Sequence, residues 1–334
     1  MLISTARGAQ SLLPTALKAW RFGRHTWAMA IGVVLAALAA VVASAGAVSA
    51  QKTFSSPQLA VAALVTAVQT DDDAELLAIL GPGCEDVLYS GDPVADRNGR
   101  TRFLQAYAEQ YHLVLQGDER AVLSVGSTAY PLPIPIVHQG TNWLFDTPAG
   151  REEILSRRIG RNELHAVGVV QAYSEAQREY ACLPHDGGQR EFAQRFASSP
   201  GKRDGLYWKT EEGEPASPFG PLLAMATEAG YQGGLDADPP EPFYGYYFRI
   251  LKAQGEHAPG GAFDYVADGR MVLGFALVAY PAKYGVSGIM TFMVNQAGVI
   301  YEKDLAMNTA ALAVAMTVYD PDATWRRYEE PAGP

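Results

Sequence analysis

Apolar and polar positions in the first half of the chain predict helices followed by strands. After residues 55–57, Ser-Ser-Pro, apolar residues recur at three- and four-residue spacing, which is typical of a helix capped by serine. A second helix is predicted to begin at the aspartates 71–73 and to end before Gly81, and a third covers about 96–110. Alternating or β-rich runs then follow at 111–116, 121–125, 134–137 and 142–145.

This order predicts the fold class α+β, in which N-terminal helices pack on an antiparallel sheet. The longest helical pattern covers about 150–181, where apolar residues at helical spacing mark a buried stripe. The layout resembles cone-shaped domains of the nuclear-transport-factor-2-like type. Because such folds occur both in enzymes and in binding modules, this resemblance implies a fold and no activity.

The second half of the chain predicts a connector and then a second sheet. Short helices are predicted at about 190–196 and 221–229, with Pro- and Gly-rich turns between them. Five strand-like runs follow, the turn at 295–298 joins two of them as a hairpin, and a helix at about 309–318 closes an antiparallel β-meander. The predicted segments are a signal peptide at 1–50, an α+β domain at 51–185, an irregular or helical connector at 186–242 and a β module with a terminal helix at 243–328.

The N-terminal segment predicts export to the periplasm or the extracellular space. Residues 1–50 contain four basic side chains and no acidic one, and an apolar run at 27–43 leads to the small-residue exit Val48-Ser49-Ala50. These are the three parts of a signal peptide that is cleaved before Gln51. The alternative is a retained membrane anchor, since 27–48 is long enough to span a bilayer.

The net charge of the chain without its signal segment narrows the range of possible binding partners. Without the four basic residues of the signal segment, 22 Lys and Arg remain against 36 Asp and Glu, a net charge of about −14. Such an acidic protein repels phosphate backbones and anionic lipid, so we expect no nucleic acid and no membrane binding after cleavage, and instead another envelope protein or a glycan as partner. The two cysteines, Cys84 and Cys182, either form one disulfide in an oxidising compartment or stay unpaired.

The sequence excludes most of the known catalytic and metal-binding motifs. The histidines form no pair with zinc-ligand spacing, so we expect no metal and no cofactor. The acidic triplet 71–73 is explained by helix capping, and Ser287 between glycines is interpreted as a turn residue. Arg158 and Asn162, four apart on the long helix, either form an anion clamp or have a structural role, in helix-surface ion pairs or in pinning a neighbouring loop.

A polar and aromatic cluster in the β module is the candidate ligand groove. Tyrosines supply a large contact area with a polar tip, although the same residues fit half-buried sheet positions. The candidate ligand-binding residues are Tyr246, Arg249, Asp264, Tyr265, Lys283 and Tyr284. The leading interpretation is a non-enzymatic binding or envelope-assembly factor. The alternative is an exported hydrolase that uses Asp264 or Asp268 with a histidine such as His257.

A series of short motifs spread over nearly the whole mature chain resembles the bacterial family catalogued as domain of unknown function 2950. The motifs include Pro133-Ile134-Pro135, Trp143-Leu144-Phe145-Asp146-Thr147, Asp204-Gly205-Leu206-Tyr207-Trp208, Gly245-Tyr246-Tyr247-Phe248-Arg249-Ile250 and Met290-Thr291-Phe292. The resemblance implies membership and carries over no catalytic residue, cofactor or ligand. The strand order of the last hundred residues is also similar to that of some pseudopilin heads, but the N-terminus lacks the helix of a pilin.

Overall fold

The computed structural model describes residues 50–185, 188–211, 213–232, 235–236 and 240–330. The predicted signal peptide, or its alternative as an anchor, lies outside these residues except for its last position. Among the helices of the described ranges, none combines the length and the apolar character needed to cross a bilayer.

Four helices form the first layer, and their start sites follow from local capping. Ser56 accepts a hydrogen bond from the Leu59 amide, and Asp72 accepts one from the Glu75 amide, as predicted for helix N-caps. The helices are α1 (Pro57–Gln69), α2 (Asp73–Leu80), α3 (Glu85–Leu88) and α4 (Pro93–Glu109). The short α3 is not predicted by the sequence pattern, because four residues are too few to show a period.

The first sheet is antiparallel and packs against these helices. Its strands are β1 (Tyr111–Gln116), β2 (Arg120–Val125), β3 (Tyr130–Pro131), β4 (Ile136–Gln139) and β5 (Asn142–Phe145), in the order β1-β2-β4-β5 with β3 paired to β2. Burial alternates along β2, so one face of the sheet is covered. Ile79 of α2, Leu123 of β2 and Phe145 of β5 are fully buried in the resulting core.

The long helix α5 (Thr147–Tyr180) contributes to both cores of the molecule. Ile154, near its start, packs on the first core, and Tyr173, near its end, is buried in the second. The helix begins close to the backbone of the loop before β4. A Cβ on Gly150 would lie 2.5 Å from the Pro133 carbonyl oxygen, so only glycine allows this approach.

The second core contains the connector as well as the second sheet. The connector carries α6 (Gly220–Glu228), and α7 (Thr309–Ala315) follows the sheet after a 3₁₀ turn at Ala306–Asn308. The strands of this half are β6 (Tyr246–Leu251), β7 (Ala253–Gln254), β8 (Phe263–Asp264), β9 (Val266–Ala267), β10 (Arg270–Met271), β11 (Ala276–Pro281), β12 (Met290–Asn295), β13 (Tyr301–Asp304) and β14 (Arg326–Arg327). The main antiparallel sheet has the order β14-β13-β12-β11-β6, and β7-β8 and β9-β10 are two-stranded ribbons.

The predicted fold class is confirmed, with one helix and one strand corrected. Seven α-helices and antiparallel sheets form an α+β fold in the described part of the chain. The helix predicted at 190–196 is wrong, because the Phe192 amide donates instead to the Met271 carbonyl, 2.7 Å away, in a β-bridge. The strand-like run at 263–266 divides between two ribbons.

The segment boundaries stay predictions. All described residues from Ala50 onward belong to one contact unit, although they contain two separate hydrophobic cores. Connector residues such as Phe196 and Phe219 are buried together with the second sheet. Part of the predicted boundary near 235–242 lies outside the described residues.

Candidate functional site

A cavity of about 440 Å³ lies between the N-terminal helices, the first sheet and α5. Its interior is apolar, because α1, α2, α4 and the loop before β4 turn aliphatic and aromatic side chains toward it. The apolar lining residues are Leu64, Val68, Leu76, Leu80, Val87, Leu88, Phe103, Leu132, Ile134, Phe145 and Ile154. Such a lining is suited to a hydrocarbon group, which gains from leaving water.

Basic side chains also line this cavity. Arg158, Arg161 and His165 recur at three- and four-residue spacing, so they share one face of α5. Arg102 approaches from α4, and Arg100 of the same helix also lines the cavity. The site therefore combines an apolar interior with a basic rim.

Two of the rim arginines have structural partners. Arg100 forms ion pairs with Asp71 and with Asp73, the latter at 2.7 Å. Arg158 donates to the carbonyl oxygen of Asp86 at 2.6 Å and to that of Val87, which holds the end of α3. Arg158 thus pins a neighbouring segment, one of the two roles that its sequence position suggested.

The other two rim arginines, Arg102 and Arg161, are close enough for their positive charges to interact. Within the described ranges, Arg102 and Arg161 have neither an ion pair nor a side-chain hydrogen bond, and both line the cavity. Burial, and then the positive charge of Arg102, lower the pKa of Arg161. A guanidinium that is partly desolvated beside a second cation is stabilised by an anion placed between them.

His165 lies next to this pair. Burial, and then the charge of Arg161, lower the pKa of His165, so its imidazole is neutral at pH 7. The ring packs against Tyr244, with 4.5 Å between the ring centroids. His165 therefore adds a polar but uncharged group to the rim.

One carboxyl group also lines the cavity. Asp96 accepts a hydrogen bond from the Ser90 amide, 3.0 Å from its nearer oxygen. Burial raises the pKa of Asp96, while the Ser90 hydrogen bonds and the charge of Arg158 act in the opposite direction. The negative charge of Asp96 thus faces Arg158, and the Arg102–Arg161 pair has no comparable acidic neighbour among the described lining residues.

The part of the rim next to His165 is fixed by the buried N-cap of α4, Asp92. Asp92 accepts from the Tyr231 hydroxyl and from the Gly245 amide, each at 2.8 Å. The Tyr231 hydroxyl in turn accepts from the amide of Tyr244, whose φ is 50°. This left-handed conformation is costly for an aromatic residue and persists only where neighbours hold it. It turns the Tyr244 side chain toward the cavity.

The six ligand-binding candidates of the β module lie elsewhere. Tyr246 and Tyr265 are fully buried, and their hydroxyls donate to the Met290 carbonyl at 2.9 Å and to the Gln254 side chain at 3.1 Å. Burial raises the pKa of Tyr265 to about 12. Both tyrosines thus act as core residues of the second half.

The other four candidates divide among separate contacts. Arg249 donates to the carbonyls of Ala313 and Met316 at the end of α7, Lys283 pairs with Asp86 at 2.8 Å, and the Tyr284 hydroxyl donates to Asp304 at 3.3 Å. Asp264 is exposed on β8. None of the six lines the 440 Å³ cavity. A ligand groove at this face of the β module stays a prediction.

The residues of the hydrolase alternative are also separated by their contacts. His257 Nδ1 lies 2.9 Å from Asp320 Oδ2, and in the described chain neither Asp264 nor Asp268 hydrogen-bonds to it. No group of three potential metal ligands occurs among the described residues. Cys84 and Cys182 are both free thiols, the first buried and the second exposed.

The cavity is the site that sequence reasoning missed. Its strongest sequence sign is the spacing of Arg158, Arg161 and His165 on one helix face. The predicted pair combined Arg158 with Asn162 instead. Asn162 itself donates to the Ser287 carbonyl at 2.9 Å and is structural. The contribution of Arg102 from α4 has no local signature.

These features define a class: an α+β protein with an amphipathic cavity closed by a long helix. The family model described as protein of unknown function (DUF2950) matches residues 51–328, so the chain belongs to this family, as its motifs predicted. Comparison with curated proteins and with solved structures finds no match. The likenesses to nuclear-transport-factor-2-like and pseudopilin folds stay predictions.

Proposed function

We propose that this chain is an exported, non-enzymatic binding protein that holds a small amphipathic molecule in the cavity between the N-terminal helices and α5. The cavity itself carries the proposal, because it offers about 440 Å³ with an apolar interior and a basic rim. Binding sites for small molecules are commonly concave, mostly apolar and roughly 300–1,000 Å³ in volume, with a few polar groups that orient the ligand. Export is supported by the basic and apolar pattern of residues 1–50.

The lining favours a hydrocarbon-bearing molecule over the partners expected from composition. Sugar hydroxyls placed among leucines and valines would lose their hydrogen bonds to water without replacement, which disfavours a glycan in this cavity. An envelope protein would bind through a broad surface, whereas this site is a concave pocket between helices. A small molecule with an apolar body suits the geometry best.

A single glycine offers a direct test. Gly99 lies on α4 in the cavity lining, and a Cβ at this position would meet no atom within 4 Å. Gly99→Leu therefore adds bulk inside the cavity without a steric clash. We expect binding of the neutral apolar dye N-phenyl-1-naphthylamine, followed by fluorescence, to weaken by about tenfold, since overfilling a packed site costs ~1–3 kcal/mol.

Gly160→Leu is the matched control. Gly160 is an exposed glycine inside α5, also with no atom within 4 Å of a Cβ, and it does not line the cavity. Both substitutions improve helix propensity by up to about 1 kcal/mol, so both variants should melt no lower than the parent. If the dye fails to bind the parent chain, or binds equally to both variants, the cavity is not a binding site.

A further inference from the structure

The two rim arginines without acidic partners indicate what the bound molecule carries at its polar end. Four arginines line the cavity, and Arg100 and Arg158 are already engaged by carboxylates or backbone carbonyls. Arg102 and Arg161 come from two different helices and converge at the rim with like charge. Like charges held together in a folded protein repel each other unless an anion or water separates them.

We propose that the cavity takes an amphiphile with a terminal anionic head group, whose carboxylate or phosphate oxygens are held between Arg102 and Arg161 while its hydrocarbon chain lies among the apolar lining residues. This inference rests on the proposed function and assigns the ligand class and its orientation. Arginine is the side chain best suited to such a head group, because its planar guanidinium donates two parallel hydrogen bonds to a carboxylate or phosphate.

The orientation of the ligand follows from the separation of apolar and charged residues in the cavity lining. Apolar lining residues such as Leu64, Leu76 and Phe145 are buried. Arg102, Arg161 and His165 line the same cavity and are exposed to solvent. An anion at the rim keeps part of its hydration, and only the chain is buried. The reverse orientation would bury a charge among Leu64, Leu76 and Phe145, which is strongly unfavourable.

The acidic net charge of the protein does not oppose this binding. The chain carries a formal net charge of −10, but charges separated by more than about 8–10 Å in water are screened by physiological salt. At the rim the ligand meets two guanidinium groups at contact distance in a partly desolvated site, where electrostatic attraction is stronger. Asp96, the acidic residue of the described cavity lining, faces Arg158 instead.

Ligands that share one chain and differ in head group test the proposal. Isothermal titration of the full mature chain with dodecanoate, dodecyl phosphate, dodecanol and dodecylammonium, each below its micelle concentration, compares anionic, neutral and cationic ends. We expect at least one of the anions to bind about tenfold or more tightly than dodecanol, as charge-assisted hydrogen bonds allow, and dodecylammonium to bind most weakly.

Variants at the rim then locate the effect. Arg161→Gln and Arg102→Gln should each weaken binding of the preferred anion by about tenfold and leave dodecanol unchanged, while Arg161→Lys should restore part of the loss. Arg157→Gln is the matched control, because Arg157 lies on the same helix, pairs with Glu153 and does not line the cavity. Thermal melts confirm that these exposed substitutions leave the fold intact.

The outcomes separate the two proposals. If dodecanol binds as tightly as both anions, or if Arg157→Gln weakens anion binding as much as Arg161→Gln does, the anionic head group is wrong and the binding cavity stands. If none of the four molecules binds, both proposals fail. Preferential binding of an anion that is lost in the rim variants alone supports both.

Discussion

In the first sheet, buried and exposed positions alternate along β2, whereas every residue of β11 in the second sheet is buried. Successive side chains of a strand point to opposite faces, so β11 is covered on both faces and β2 on one. β11 lies between β12 and β6, and α5 and α7 both pack against it. The second half of the chain thus packs its central strand on both faces, and the first half leaves a cavity of about 440 Å³ between its helices and α5.

This difference explains why the polar and aromatic cluster of the β module does not form the cavity. The tyrosines and Arg249 of the β module form hydrogen bonds within the fold, and Arg249 caps the carbonyl end of α7. A cluster of this kind stabilises a densely covered sheet. Arg102 and Arg161, which have no acidic partner within the described ranges, line the cavity of the first half instead.

The largest effect is expected in the second core. Phe275 is fully buried and packs edge to face against Tyr173 and Phe192. Phe275→Ala should lower the free energy of unfolding by about 3–5 kcal/mol, as for other large aromatic truncations in cores. Denaturant melts monitored by circular dichroism measure this change.

Phe103 provides the comparison from the other half, since it is half-buried and lines the cavity. Phe103→Ala should lower the free energy of unfolding by only about 1–2 kcal/mol, because the side chain already faces the cavity and buries less area. Equal losses for the two variants would mean that the first half is packed as tightly as the second.

A loss of stability between those of the two phenylalanine variants is expected at the contact that joins the two halves. In Asp92→Asn, the side-chain oxygen of asparagine still caps α4. Its NH₂ group faces the backbone N–H of Gly245, which has then lost its hydrogen-bond acceptor. Leaving a buried donor without a partner should cost about 2–3 kcal/mol, measured by the same denaturant melts.

Asp72→Asn is the control for this contact. Asp72 is an exposed N-cap of α2, where asparagine caps about as well as aspartate, so stability should hardly change. If Asp92→Asn is equally neutral, the two halves are not held together by this carboxylate.

The smallest effect is a surface titration at the edge of the second half. The hydrogen bond and charge of Asp320 raise the pKa of His257 above 6.5. Because the folded state favours the protonated ring, this interaction is fully present below pH 6.5 and is lost as pH rises through the raised pKa. A proton NMR titration should show the raised pKa and its return toward the ordinary value in Asp320→Asn. An unchanged His257 pKa in that variant would refute the pairing.

Features that depend on local sequence could be predicted. The helix starts at Ser56 and Asp72 follow from capping side chains three residues before the amides they bind, and β1 has the predicted bounds. The error at 190–196 has a tertiary cause, because the partner of the Phe192 amide lies at Met271, far along the chain. Local periodicity contains no information about such a partner.

The cavity could not be predicted for the same reason. Its basic pair consists of Arg102 on α4 and Arg161 on α5, and only the packing of these two helices brings the side chains together. The predicted cluster in the β module rested on residue types that suit binding, but Tyr246 and Tyr265 are buried in the core and Arg249 is engaged by the carbonyl end of α7.

The hydrogen bonds of Asp92 have a consequence for the order in which the molecule assembles. They join residues separated by 139 and 153 positions in sequence. The ribosome releases a chain from its N-terminus, so α4 is complete long before Tyr231 and Gly245 exist. Closing so long a loop is a slow, late event in folding. The cavity rim is thus completed only when the second half has folded, and a truncated or incompletely folded chain presents the helices without a closed binding site.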